Sequence, residues 1–294
     1  MTLDSVIIGI VFNEDIHNLL MNISRDEPLR EHPYKKLVEF QRNAYKKECL
    51  NIKDKGFQIG EPWNGDINNA LVAFISSNPA FGPYDSFPRY HAVTKTVSMP
   101  DGETLDLDGI KKFFNDRFKN ATVSKREVLR VKCNRAGDGV FYKAIPYWGC
   151  VRNSIKALWP NAPKGDSTEA YVKGLMSKAV CMELVPFKSR SEIGVDDALL
   201  FCLKNFTRHI LSNITAPIVV LVGKKVRYSF LNFYLKDENE WGEASQAFDN
   251  KEIYHYGDKL FVATNFSEGG FKLSNCCSVA AMDELRKTFG GGLN

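Results

Sequence analysis

The sequence contains no CxxC pair, no internal repeat and no low-complexity tract. It also has no apolar run near the ~18 residues that a membrane span needs. Its seven cysteines are Cys49, Cys133, Cys150, Cys181, Cys202, Cys276 and Cys277, an odd and scattered set. That argues against a zinc ribbon or an iron–sulfur cluster. It fits reduced thiols in a cytoplasm better than a secreted disulfide framework. The adjacent Cys276 and Cys277 read as ordinary thiols in a loop or helix start, with a redox pair as the alternative. Neither GxGxxG nor a P-loop is present, and Gly223-Lys224-Lys225 lacks the upstream glycine a P-loop requires. No GxSxG elbow occurs, and His17, His32, His91, His209 and His255 match no triad pattern. These absences argue against nucleotide-cofactor enzymes and serine hydrolases. His91 lies close to a loop discussed below and remains a candidate acid or base, against a packing role.

What is present describes a globular chain. Of 294 residues, 44% are hydrophobic and 25% charged, close to the average for soluble domains. The length allows a full core without staples, and one domain spanning 1–294 is expected, with 1–60 as a largely helical portion packed on it. Thirty-nine basic against thirty-five acidic residues leave +4, too mild to imply a nucleic-acid partner by itself. The apolar VIIGIVF (6–12) has no basic leader, follows Asp4 and precedes Glu14 and Asp15. It reads as the buried face of a first helix or strand, not as a signal peptide. A soluble, cytoplasmic, monomeric protein without membrane contacts is expected.

Four short apolar runs stand out: LVAFISS (71–77), AVCMELVP (179–186), PIVVLVG (217–223) and KLFVATNF (259–266). Each ends at Pro, Gly, Asn or Ser, as parallel strands buried on both faces do. Helical patterns at 147–159, 195–214 and 226–235 separate them. The first crossover is about a hundred residues long and must hold more than one helix. An α/β fold with a parallel sheet and helices on both faces follows. Ligands in such folds sit beyond the C-terminal ends of the strands. The segments there are SSNPAFGPYDSFPRYH (76–91), FKSRSE (187–192) and NFSEGGFK (265–272). Each is an ordinary turn composition taken alone; three on one edge point to a site. Residues 111–135 add nine basic and two acidic residues, with Phe113, Phe114 and Phe118 at helical spacing. A helix with an aromatic face packed and a basic face out would suit phosphate contacts; a solvated surface helix is the other reading.

These loops resemble the uracil-DNA glycosylase superfamily. Its first motif, an acid or amide followed by Pro after a buried strand, matches Asn78-Pro79 within 77–83. Its second, His or Asn, one residue, then Ser, matches Asn265-Phe266-Ser267, followed by Glu268-Gly269-Gly270. The asparagine pair and Phe87-Pro88 look most like the mismatch-specific uracil/thymine branch. Phe266 stands where many members have Pro, and no His occupies the second motif. The resemblance covers roughly 71–272. It implies a three-layer α/β/α sandwich around a mostly parallel four-stranded sheet. It further implies a base-flipping enzyme that cleaves the N-glycosidic bond of DNA without a cofactor or metal.

The chemistry assigns expected roles. The target base leaves the duplex stack for a pocket. Asn78 would position the attacking water, and Asn265 would brace the water or the sugar; a turn cap is the alternative for Asn78. Ala80 replaces the Tyr with which strict uracil enzymes reject a C5 group, unless Phe81 or Tyr84 refills the space. Glu183 stands near the base-reading Asn of uracil-specific members. A carboxylate only accepts, which suits the N4 amino group of cytosine; pairing with an Arg or Lys of the chain is the other reading. Phe87 and Tyr90 are candidates to stack on the flipped base, or else core. Lys188, Ser189, Arg190, Ser267, Gly269 and Gly270 would approach phosphates. Phe271 would wedge into the vacated stack, or pack on the sheet edge. Ala80 and Glu183 together point to a C5-modified cytosine, hydroxymethylated or glucosylated, as found in bacteriophage DNA. An anti-phage glycosylase of this superfamily excises such a base. Uracil or mismatched-thymine excision is the main rival, and a non-catalytic nucleic-acid-binding module the alternative of another class.

Overall fold

The computed structural model describes residues 1–13, 56–77, 87–91, 93–124, 127–135, 139–144, 146–187, 197–235, 237–265 and 271–293. The apolar N-terminal run forms helix α1 (Leu3–Val11), whose N-cap Thr2 accepts from the Ser5 amide. It buries Val6, Ile7, Ile10 and Val11. Residues 14–55 of the portion expected to be largely helical lie outside the described residues.

Strands β1 (Phe57–Gln58), β2 (Trp63–Asn64) and β3 (Val72–Ser76) follow. The long crossover then carries β4 (Arg89–His91), β5 (Thr96–Ser98), β6 (Thr104–Leu105) and helix α2 (Leu107–Asn115). It continues with β7 (Thr122–Val123), β8 (Leu129–Arg135) and β9 (Gly139–Ala144). Helices α3 (Pro146–Leu158) and α4 (Thr168–Met176) complete it. Strand β10 (Ala179–Glu183) leads to α5 (Asp197–Cys202), a π-helical turn at Leu203–Thr207, and α6 (Arg208–Asn213). Next come β11 (Ile218–Val222), α7 (Lys224–Ser229) with a second π turn at Phe230–Tyr234, and α8 (Glu238–Asp249). Strands β12 (Tyr254–Tyr256) and β13 (Lys259–Thr264) and helices α9 (Leu273–Cys276) and α10 (Val279–Gly291) finish the chain. Gly290 and Gly291 complete the last turn of α10.

The four apolar runs form the inner strands of one six-stranded sheet, ordered β12-β13-β11-β3-β10-β2. Those inner four are parallel to one another, and both edge strands are antiparallel. The sheet is therefore wider than the expected four strands. Two smaller sheets, β1-β4-β5-β6 and β7-β8-β9, are wholly antiparallel. Antiparallel pairings thus outnumber parallel ones among the described residues, so the molecule is mixed α/β rather than mostly parallel.

Alternation along the inner strands explains the core. Ala73, Ile75, Val180, Met182, Val219 and Leu221 enter one apolar cluster, shared with α1, the 197–213 helix and α8. Val72, Phe74, Ala179, Cys181 and Val220 enter a second, shared with α3, α4 and α10. All five residues of β11 (IVVLV) are buried. Each such side chain contributes about 1.5–3 kcal/mol of transfer free energy. Gly65, at φ 102°, brings β2 against β10 where a Cβ would collide with the Ala179 carbonyl oxygen.

The basic segment is not one amphipathic helix. Helix α2 stops at Asn115, and the chain turns into β7 and β8. Phe114 and Phe118 are buried as expected. Lys111 pairs with Asp4 and Asp108, and Lys119 with Asp116. Arg117 is only 8% exposed, its guanidinium 4.6 Å from the Phe87 ring centroid and 5.2 Å from that of Phe113. Surface ion pairs thus tie Lys111 and Lys119, and ring contacts tie Arg117, to neighbouring residues of the chain.

Candidate functional site

The register sets the C-terminal ends of the inner strands level. Met182, Ile75, Leu221 and Ala263 form one row across the sheet. The next row places Glu183 beside Ser76 and Val222 beside Thr264. At about 4.8 Å per strand, Thr264 lies about 10 Å from Ser76, with β11 between them. Asn265, one residue beyond Thr264, is exposed at this edge. Asn78 is two residues beyond Ser76 in sequence and lies outside the described residues. The chain leaves β3 for β10 on one side and later places β11 on the other. In parallel sheets, ligands bind beyond the C-terminal edge at such a reversal.

The row at the lip faces the second apolar cluster, continuing the column of Phe74 and Cys181. Three polar side chains meet there. The Ser76 hydroxyl lies 2.7 Å from Glu183 Oε2 and 3.3 Å from the Tyr147 phenol oxygen. Tyr147 arrives from the first turn of α3, beside Trp148, which is buried against the Phe118 ring. Burial pushes the Tyr147 phenol well above its usual range, and the Cys181 and Glu183 charges add to this. Burial likewise raises the Cys181 thiol, with Glu183 reinforcing it and a hydrogen bond from Tyr147 opposing it. Both groups are therefore neutral and protonated at ordinary pH. Glu183 is half-buried, and the Ser76 hydroxyl is one of its partners. That bond offsets part of the cost of partial desolvation.

The strand carrying Glu183 is anchored just past the site. The Leu184 and Val185 amides donate to the carbonyls of Ser76 and Ser77. The Thr207 hydroxyl, presented by the first π turn, donates to the Leu184 carbonyl at 2.7 Å. On the β2 side, the Glu61 amide bonds the Pro186 carbonyl and the Asn64 side chain bonds the Glu61 carboxylate.

Three sequence-derived candidates belong to the core. Phe87 is 1% exposed and packs edge-on against Phe113 under the Arg117 guanidinium. Tyr90 is 2% exposed, on β4, with the Phe12 ring against it. Burial of both rings matches the core role that was the other reading of these residues. Phe271 is 1% exposed, wedged between Phe74 and Tyr147 at centroid distances of 5.9 and 5.7 Å. It pins the chain after the second motif onto the sheet, the packing role that was the other reading of this residue. His91 shares a 2.8 Å hydrogen bond with Ser98 within the small sheet, a structural partner. Ala80, Phe81, Lys188, Ser189, Arg190, Ser267, Gly269 and Gly270 lie outside the described residues.

Ser76 and Tyr147 escaped the sequence reading. Ser76 ends an apolar strand, where a serine is normally a turn residue. Tyr147 opens a helix whose pattern suggests only packing. Cys276 and Cys277 are free thiols, and burial pushes Cys277 up to about 12 with Cys276 adding to it. Among the described residues no group of three or more His, Cys, Asp or Glu side chains could hold a metal ion. No helix among them is long and apolar enough to cross a membrane. No protein-family model matches the chain, and no curated protein matches it significantly.

Proposed function

We propose that the chain is a DNA glycosylase of the uracil-DNA glycosylase type, acting on a C5-modified cytosine. The observation that carries this reading is the shared edge. The strands that precede Asn78-Pro79 and Asn265-Phe266-Ser267 run parallel, end level and flank β11. Loops of that composition follow both strands at one edge of the sheet. Helices on both faces of the parallel strands fit the three-layer sandwich of that superfamily.

In this reading a flipped pyrimidine nucleotide enters at that edge. The Asn78 side-chain carbonyl holds a water beneath the sugar, and Asn265 braces the water or the sugar. The C1′–N1 bond breaks with its electron pair going to the base, the water oxygen bonds C1′, and the water's proton ends on the departing base. An amide is a poor base, so positioning dominates and turnover is slow. Glu183 accepts from the exocyclic amino group, and Ala80 leaves room for the C5 substituent. Removal of hydroxymethylated or glucosylated cytosine would serve defence against phage carrying such DNA.

The test is an excision assay on oligonucleotides carrying uracil, a T:G mismatch, 5-hydroxymethylcytosine or its glucosylated form. Alkali-labile sites are expected only at modified cytosine. Asn78→Ala is expected to lower the rate at least about 100-fold. Cleavage at uracil or T:G alone would keep the glycosylase and remove the cytosine assignment. Tight DNA binding with no cleavage of any substrate would leave a non-catalytic nucleic-acid-binding module.

A further inference from the structure

We propose that the antiparallel sheet β7-β8-β9 is a contact surface for duplex DNA, with Arg130 holding a backbone phosphate beside the candidate site. The choice of DNA rests on the glycosylase reading above, and the inference adds to it a surface that no motif of that reading includes.

Charge is the first observation. Residues 122–144 hold six basic and two acidic residues, against thirty-nine and thirty-five in the whole chain. Outside them thirty-three of each sign remain, so this sheet and its turns carry the whole net charge of +4. The one described acid of the segment, Glu127, lies 3.9 Å from Arg152 of α3, which also donates to the Glu127 carbonyl. A cationic patch on an otherwise neutral molecule is the electrostatic footprint of a nucleic-acid surface.

Alternation gives that charge a face. Along β8, Leu129, Val131 and Cys133 alternate with Arg130, Lys132 and Asn134. Successive residues of a strand belong to opposite faces. Leu129 is buried in the second apolar cluster, and its register partner Val123 packs against the same cluster. Arg130 and Lys132 belong to the other face, opposite Ala144 and Tyr142 of β9. Arg130 is half-buried, its Nε is buried, and no hydrogen bond or ion pair holds it among the described residues. Buried donors in folded proteins are as a rule met by a partner, and phosphate suits the guanidinium fork.

The sheet also stands in the right place. Arg130 and Ala144 are Cα partners, about 5 Å apart. Ala144 precedes Tyr147 by three residues, which span at most about 11 Å. The Arg130 Cα therefore lies within about 16 Å of the Tyr147 Cα. The Tyr147 phenol oxygen is in turn 3.3 Å from the Ser76 hydroxyl at the C-terminal edge. A duplex carries one phosphate charge per about 1.7 Å of its axis. One that offers a nucleotide to that edge brings phosphates within reach of Arg130.

The experiment titrates an unmodified DNA duplex, followed by fluorescence anisotropy over a range of salt concentrations. Excision of modified cytosine is measured in parallel, with thermal melting as the folding control. Arg130→Gln should weaken binding about tenfold and lower the slope of log affinity against log salt by about 1. Arg130→Gln with Lys132→Gln should lower the slope by about 2. Arg130→Lys, which keeps the charge, should keep the slope. Lys287→Gln removes an exposed charge on α10 and should change neither quantity. Affinity and slope unchanged in the folded single and double variants would overturn the inference and leave the glycosylase reading standing. So would an equal loss in Lys287→Gln, which would make net charge alone the cause. An RNA duplex bound more tightly than DNA, with the same loss in Arg130→Gln, would overturn the assignment to DNA. The expected losses without excision of any base would uphold the surface and overturn the glycosylase reading. A wild type that binds no duplex would overturn both.

Discussion

Tyr147 shows how one side chain serves both stability and the site. Its phenol and the Cys181 thiol share a buried corner with the Glu183 carboxylate, and burial first, with Glu183 adding to it, opposes ionisation of both in the folded chain. The ordinary values are 10.0 for the phenol and 9.0 for the thiol. Below those values both states of the chain are protonated, and the stabilising effect is fully present. As pH rises through them the unfolded chain releases protons that the folded chain retains, so stability falls. The urea midpoint should therefore decline between about pH 8 and pH 11, and Tyr147→Phe should decline less steeply. Identical slopes for the two proteins would contradict the burial assigned to this phenol. None of this was legible in the sequence. A serine after VAFI and a tyrosine before a tryptophan carry no distinguishing pattern. Phe87, Tyr90 and Phe271 show the converse: aromatics set among Pro and Gly resemble a binding rim, and only packing shows that the core holds them.

Among the elements, the four inner strands were legible because burial on both faces leaves a near-continuous apolar run. The edge strands Trp63–Asn64 and Tyr254–Tyr256 are two and three residues long, too short for any periodicity to register. The basic segment misled because its three phenylalanines do lie at helical spacing, yet Phe118 falls beyond the helix in a turn. The π turn at Leu203–Thr207 was equally silent, since 195–214 scans as one unbroken helix. Its consequence is specific. It delivers the buried Thr207 hydroxyl to the Leu184 carbonyl, one residue past Glu183. Thr207→Val removes the donor while keeping the shape, and should cost about 1–2 kcal/mol in urea unfolding. Excision should fall as well, because the strand end bearing Glu183 loses its tie. A variant of unchanged stability and activity would show that the π turn does nothing for the site.

At the scale of the whole molecule, one sheet separates two apolar clusters, and its C-terminal edge is where the sequence motifs gather. Phe261, fully buried on β13, stacks on Phe230 at 4.4 Å within the first cluster. Phe261→Ala should destabilise the fold by about 3–5 kcal/mol. Val279→Ala, at a position 80% exposed, should stay within about 0.5 kcal/mol of the wild type. Comparable losses in the two variants would contradict the sheet-centred core.

The central claim is that the edge breaks a glycosidic bond. The most direct measurement is the mass of a single-site duplex carrying 5-hydroxymethylcytosine or its glucosylated form, before and after incubation with the protein. The expected result is a strand lighter by the modified base and heavier by one hydroxyl, with the free base in solution and no change with Asn78→Ala. An intact strand mass despite saturating binding would contradict the claim.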